Sequence, residues 1–156
     1  MQQQLPSTDQ RGFTLTELVM VIVILGVLSV AVLPMWSNRT DFEQRGYYDE
    51  LIQATRYAQK LAVATNCDVR ISFAAGGFTL QQPAIWCNTA GAWQSVDLPD
   101  LLPPYSAPAN VAITAGLGTV TFSASGLASA NTLVTVTGTS SLSFNIYAAT
   151  GYVERI

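Results

Sequence analysis

The carboxylate of Glu17 is the group in this sequence best placed to do chemistry. It closes the stretch Arg11-Gly12-Phe13-Thr14-Leu15-Thr16-Glu17, and the sixteen residues from Leu18 to Leu33 carry no charge. An acid inside a membrane segment costs about 2.5–3.5 kcal/mol on insertion scales, so it is rarely kept without a partner. A cut between Gly12 and Phe13 would create an α-amino group four residues before Glu17. On a helix, an amine and a carboxylate at that spacing share one face. The same carboxylate can also meet the amine of a neighbouring copy. The chemistry is ion pairing, not bond-making.

The other reactive side chains are few. There is no histidine, which removes the commonest general base and the commonest metal ligand. No Gly-x-Ser-x-Gly elbow occurs, and a serine triad cannot be built without histidine. Asp97 and Asp100 flank Pro99, but the spacing of a calcium loop is absent and a solvated loop accounts for them. No catalytic residue, metal site or cofactor is expected. Cys67 and Cys87 lie twenty positions apart. An even pair in an exported domain points to a disulfide, whereas two buried free thiols would suit a cytosolic protein. Charged residues make up 11% of the 156, against about 25% in ordinary soluble domains. The net charge is −3 and stays there when residues 1–12, with Asp9 and Arg11, are removed. Such a chain has no general electrostatic attraction for nucleic acid.

The elements that position these groups follow from the pattern of apolar residues. Residues 1–12 are a polar leader in which Arg11 and the initiator amine are the only positive charges, which keeps this end cytoplasmic. Phe13 to Leu33 reads as a helix about 32 Å long, close to the roughly 30 Å hydrocarbon core. Pro34 ends or kinks it, so residues 13–34 form the membrane segment. Thr14 and Thr16 read as helix-surface hydroxyls bonding back to carbonyls. Trp36, just past the membrane end, suits the interface. Residues 35–66 continue as an amphipathic helix, strongest over Phe42 to Thr65. Tyr47, Leu51, Ala54, Ala58 and Leu61 fall on one face that packs on a sheet. After Asn66 the period changes to two. Strands are expected at 69–73 and 78–81 around the turn Ala74-Ala75-Gly76-Gly77. Others are expected at 111–114, 119–123, 133–137, 142–147 and 152–156, with 88–110 as loop. The first hairpin would bring Cys67 and Cys87 close. Trp86 and Trp93 read as core of a β-rich head over residues 67–156. The fold class is α+β: a long N-terminal helix packed on an antiparallel sheet.

Gly12-Phe13-Thr14-Leu15-Thr16-Glu17-Leu18, the uncharged run and Pro34 resemble the N-terminus of type IV prepilins and type II secretion pseudopilins. The resemblance covers about the first 36 residues. It implies that a prepilin peptidase cuts after Gly12 and methylates the amine of Phe13. It also implies that the mature subunit sits in the bacterial inner membrane by one helix, head in the periplasm. From there Glu17 guides packing into a filament built with other major and minor pilins on an assembly platform. Residues Leu51 to Ile71 are similar, less specifically, to the helix–turn–strand join of GspH/FimT-like minor pilins, including those of mannose-sensitive-haemagglutinin-type pili. DNA-binding members of the FimT branch end in a basic Gly-Arg-x-Arg signature. Here Gly151-Tyr152-Val153-Glu154-Arg155-Ile156 replaces the first Arg and adds an acid, so nucleic acid is not an expected partner. The implied function is a structural subunit, a minor type IV pilin, and not an enzyme. A type II secretion pseudopilin and a pilus-borne binding module (for DNA uptake or adhesion) are the alternatives. Two bland readings compete. Gly12-Phe13 may be read as an ordinary dipeptide before a plain signal anchor, or Ser29-Val30-Ala31 as a signal-peptidase site releasing a chain that starts at Val32. Both leave Glu17 without a purpose.

Overall fold

A computed structural model of the protein describes residues 13–37, 39–99 and 103–156, with the backbone alone for 30–37. The leader, with Gly12, and Asp100 therefore lie outside the described residues, as does the side chain of Trp36. The chain divides into two compact units, residues 1–38 and Arg39–Ile156. In the first unit, helix α1 spans Leu15–Ser37. Proline in a helix lacks the N–H and crowds the preceding turn, yet the element runs past Pro34 to Ser37, so Pro34 does not terminate it.

The second unit opens with α2, Arg39–Thr65, whose first turn is braced by an Arg39 Nε to Glu43 Oε1 ion pair at 2.8 Å. Tyr47, Leu51, Ala54 and Ala58 are buried as the periodicity requires. The last member of the stripe is a correction. Leu61 is only partly buried and Ala62 takes the enclosed position, because steps of 3.6 residues carry the face one position on by the fourth turn. The stripe is also wider than expected, since Tyr48, Ile52, Thr55 and Gln44 are buried too. The helix ends in a Schellman turn: Asn66 has φ 54° and the N–H of Cys67 donates to the carbonyl of Ala62 at 3.2 Å. Asparagine tolerates this left-handed conformation better than most residues.

Two four-stranded antiparallel sheets follow. The strands are β1 Val69–Ala74, β2 Gly77–Pro83, β3 Trp93–Ser95, β4 Ala112–Ala115, β5 Gly118–Phe122, β6 Thr132–Thr137, β7 Ser141–Ile146 and β8 Val153–Arg155. One sheet has the order β3-β2-β1-β5 and the other β4-β6-β7-β8. The hairpin of the first two strands forms as the alternation predicts, with Ala74 opposite Gly77. The short strand β3, inside the expected 88–110 loop, was not expected. It exists because Gln81, Gln82 and Pro83 offer a free edge to Ser95, Gln94 and Trp93. Every second residue of the longer strands points inward. Val69, Ile71, Phe73, Phe78, Leu80, Val120 and Phe122 line one sheet, and Ile113, Val134, Val136, Phe144, Ile146 and Val153 the other. Helix α2 packs against strands of both sheets, and the core lies beneath it.

Polar side chains of α2 pin the head at three points. Buried Gln44 donates to the carbonyl of Ser140 at 2.7 Å and accepts from its N–H at 3.3 Å, holding the β6–β7 turn. Gln59 donates to the carbonyls of Gly126 and Thr150 at 3.0 and 2.9 Å. Arg56 donates to the carbonyl of Val153 at 3.1 Å, and Asp49 holds Arg155 at 2.7 Å, so the C-terminal strand is fastened to the helix.

Candidate functional site

The segment Phe13–Glu17 forms the start of α1, and its sequence explains its geometry. Thr14 is the cap. Its carbonyl accepts from the N–H of Leu18 at 3.2 Å and its hydroxyl accepts from the N–H of Glu17 at 3.3 Å. In return the N–H of Thr14 donates to Glu17 Oε2 at 3.4 Å. This is a capping box, Thr-x-x-Glu, in which two backbone donors at a helix start are satisfied reciprocally. The carboxylate also sits at the positive end of the helix dipole. The expectation that Thr14 and Thr16 bond back to carbonyls is corrected. Thr14 caps the helix, and the Thr16 hydroxyl lies 3.4 Å from that of Thr14. The hydroxyl that does bond back is Ser29, donating to the carbonyl of Leu25 at 2.7 Å. The spacing Thr14-x-x-Glu17 before an apolar run is a capping-box signal legible in the sequence.

The consequence is that Glu17 is folded back toward the residue that follows Phe13. It remains exposed, its bonds are long, and no cation is paired with it among the described residues. Around it the helix is uncovered: Phe13, Leu15, Leu18 and each apolar residue on to Leu28 are exposed. Side chains are described only to Ser29, and among the described residues no helix is long and apolar enough to cross a membrane.

In the head, Cys67 and Cys87 form a disulfide with Cα atoms 4.8 Å apart. The β1–β2 hairpin brings them together: Cys67 precedes β1, and Cys87 follows β2. The expectation that Trp86 and Trp93 are core is not met, since neither belongs to the head's core. Trp86 is 96% exposed, because the disulfide-closed loop after β2 turns away from the core. Trp93 is half-buried, with the Arg70 guanidinium 4.1 Å above its ring. Asp97 is exposed, and among the described residues no group of three acids or cysteines is gathered to hold a metal. Arg155, the one basic residue of the C-terminal segment, is engaged by Asp49 and lies over the Tyr48 ring. Burial raises the Tyr47 hydroxyl above its usual range, with the Glu50 charge adding to the effect. Burial also raises the Glu50 carboxyl.

Two family profiles match the chain. Residues 7–33 match the prokaryotic N-terminal methylation motif, and residues 48–150 match type II transport protein GspH. No curated protein matches the sequence. Among solved structures the fold is similar to the type IV minor pilin FimU of Pseudomonas aeruginosa in two crystal forms. The first gives a TM-score of 0.54 at 15% identity, covering 74% of this chain and 90% of that one. The second gives 0.50 at 14% identity, covering 72% and 91%.

Proposed function

The chain belongs to the family of type II transport protein GspH, and from that premise we propose that it works as a minor type IV pilin, a structural subunit and not an enzyme. The observation that carries the reading is the occurrence, in one chain and in this order, of the methylation motif and the GspH domain. In this reading a prepilin peptidase cuts between Gly12 and Phe13 and methylates the new amine. The uncharged run Leu18–Leu33 holds the subunit in the inner membrane, with the head on the periplasmic side. The apolar residues of helix α1 from Leu15 to Leu28 are exposed, so lipid surrounds them first. The helices of other pilins replace lipid when the assembly platform adds the subunit to a filament.

Glu17 directs that exchange. Among the described residues its carboxylate has only neutral donors, the N–H and hydroxyl of Thr14, at 3.4 Å. The ammonium group of a neighbour's Phe13 is a better partner, because it adds the attraction between opposite charges to a hydrogen bond that the neutral Thr14 donors make only at a long distance. In the low dielectric of a helix bundle the pairing relieves two unpaired charges together. The capping box holds the carboxylate at the helix start until the neighbour arrives.

Mass spectrometry of the mature chain is expected to find methylated Phe13 at the N-terminus; a start at Val32 or at Met1 overturns the proposal. Glu17→Ala is expected to stay in the membrane fraction and to be lost from sheared filaments. Glu17→Gln keeps an acceptor for the cap but not the charge, and is expected to fail in the same way. Filaments that incorporate Glu17→Gln normally would refute the ion pair.

The family description favours one second reading, a type II secretion pseudopilin. Deletion of the gene separates the two: loss of surface pili supports the first, loss of protein secretion with pili intact the second. Nucleic acid is not a partner in either, since Tyr152 and Glu154 interrupt the basic signature and Arg155 is already paired.

A further inference from the structure

Among the described residues, the loop after β2 carries the most exposed large apolar side chain, Trp86. Trp86 is 96% exposed and Ile85 66%, although burial of such side chains is favourable and the core lies close by. The loop is also held still. The Cys67–Cys87 disulfide ties it to the end of α2. The N–H of Asn88 donates to the carbonyl of Ile85 at 2.8 Å, and the N–H of Ala84 to that of Ala92 at 2.9 Å. Trp86 and Cys87 both have positive φ, 29° and 54°, a conformation that non-glycine residues keep only where the surroundings impose it. The backbone that carries the indole is thus restrained, and the ring stands in solvent.

Beside it lies an open cavity of about 450 Å³, lined by Trp86 and Ile85 together with Thr65, Gln82, Gln94 and the two disulfide cysteines. Gln82 and Gln94 are direct cross-strand partners, so their side chains leave the sheet on the same face. Among the described residues neither amide makes a hydrogen bond within the protein. No charged side chain lines the cavity. Trp93 offers no such platform, because the Arg70 guanidinium covers its ring.

An exposed aromatic face, two adjacent amides each able to donate and accept, and an absence of charge describe a ligand that is neutral, has an apolar face and carries neighbouring hydroxyls. We propose that this cavity binds a neutral saccharide. The C–H face of a pyranose ring stacks on Trp86, and its vicinal hydroxyls exchange hydrogen bonds with Gln82 and Gln94. Phosphate and carboxylate ligands are disfavoured for want of a cation. Because the loop backbone is tied by the disulfide, the ordering cost of binding falls mainly on side chains. The site lies wholly in the head and does not depend on the assembly reading.

The test uses the full chain, solubilised in a detergent without a sugar headgroup, on an array of neutral and acidic oligosaccharides. Binding to a subset of neutral glycans is expected. Trp86→Ala should weaken it about tenfold or more, the effect of losing a central aromatic anchor. The double variant Gln82→Ala/Gln94→Ala should weaken it severalfold. Both should keep the wild-type melting temperature, since Trp86 touches no core residue. The array needs no filament, so the result is separate from processing at Phe13. No neutral glycan bound, acidic glycans alone bound, or binding unchanged in Trp86→Ala would each overturn the proposal. So would Trp86→Ala abolishing cross-linking to another pilin while no glycan binds, which would make the loop a subunit contact instead.

Discussion

Replacing Gln44 by alanine is expected to destabilise the head by about 3 kcal/mol. The amide makes one short bond, to the carbonyl of Ser140 at 2.7 Å. Longer contacts go to the carbonyl of Val136 at 3.3 Å, the Thr139 hydroxyl at 3.2 Å and the N–H of Ser140 at 3.3 Å, while the Ser140 hydroxyl at 3.5 Å is too long to enter the sum. Taking about 1 kcal/mol for the short bond and half that for each of the others gives between 2 and 3 kcal/mol, roughly. Groups left without a partner under the helix add about 1 kcal/mol, offset in part by the side-chain entropy released. An unfolding entropy of roughly 2.1 cal/mol/K per residue, applied to the unit Arg39–Ile156, converts 3 kcal/mol to a fall of about 12 °C in Tm. Near-UV circular dichroism of the detergent-solubilised chain follows it, because the buried aromatic rings are in the same unit. Gln44→Met separates volume from hydrogen bonding: it fills the space and makes none of the bonds. It should retain most of the loss, and wild-type stability in Gln44→Met would refute the reasoning. Gly138 supplies a second check. A Cβ there would lie 2.8 Å from Gln44 Oε1. Gly138→Ala should therefore cost more in the wild type than in Gln44→Ala, with a coupling of at least about 0.5 kcal/mol.

Further outcomes concern the disulfide and pH. Cys67→Ser/Cys87→Ser removes a link across twenty residues of sequence and should lower head stability by about 3 kcal/mol on the chain-entropy relation; urea unfolding with and without reductant measures it, and identical midpoints would contradict it. Burial holds the folded Glu50 carboxyl above its ordinary value of 4.5. The folded state therefore binds this proton more tightly than the unfolded state. The resulting stability is complete below about the ordinary carboxyl value and is lost as pH rises through the folded one. Glu50→Gln should accordingly melt above the wild type at pH 7, with the gap closing in acid; a gap that widens on acidification would show the sign to be wrong.

The parts that sequence reveals are those whose cause is local. The helical stripe from Tyr47 to Ala58, the alternation in Val69–Phe73 and the Ala-Gly turn beyond it each depend on residues within a few positions. The cysteine pair follows because a hairpin joins residues that are near in sequence. The capping box at Thr14 and Glu17 is equally local, since its two partners lie three positions apart. Strand β3 is different. Three residues of weak pattern, Trp93–Ser95, became a strand because an edge was waiting for them.

The amino-acid sequence by itself determined the order of the elements, the apolar face of α2, the position of the lone N-terminal carboxylate and the match to a pilin leader. Tertiary structure alone decided that the strands divide into two sheets beneath one helix, and that Gln44, Arg56 and Gln59 bond to groups 92, 97 and 67 residues away. It also decided that Trp86 stands in solvent while Trp93 is covered. No periodicity records such choices. They are settled by which surfaces meet when the core closes, and the energy of a contact between distant residues is written in neither partner's neighbourhood.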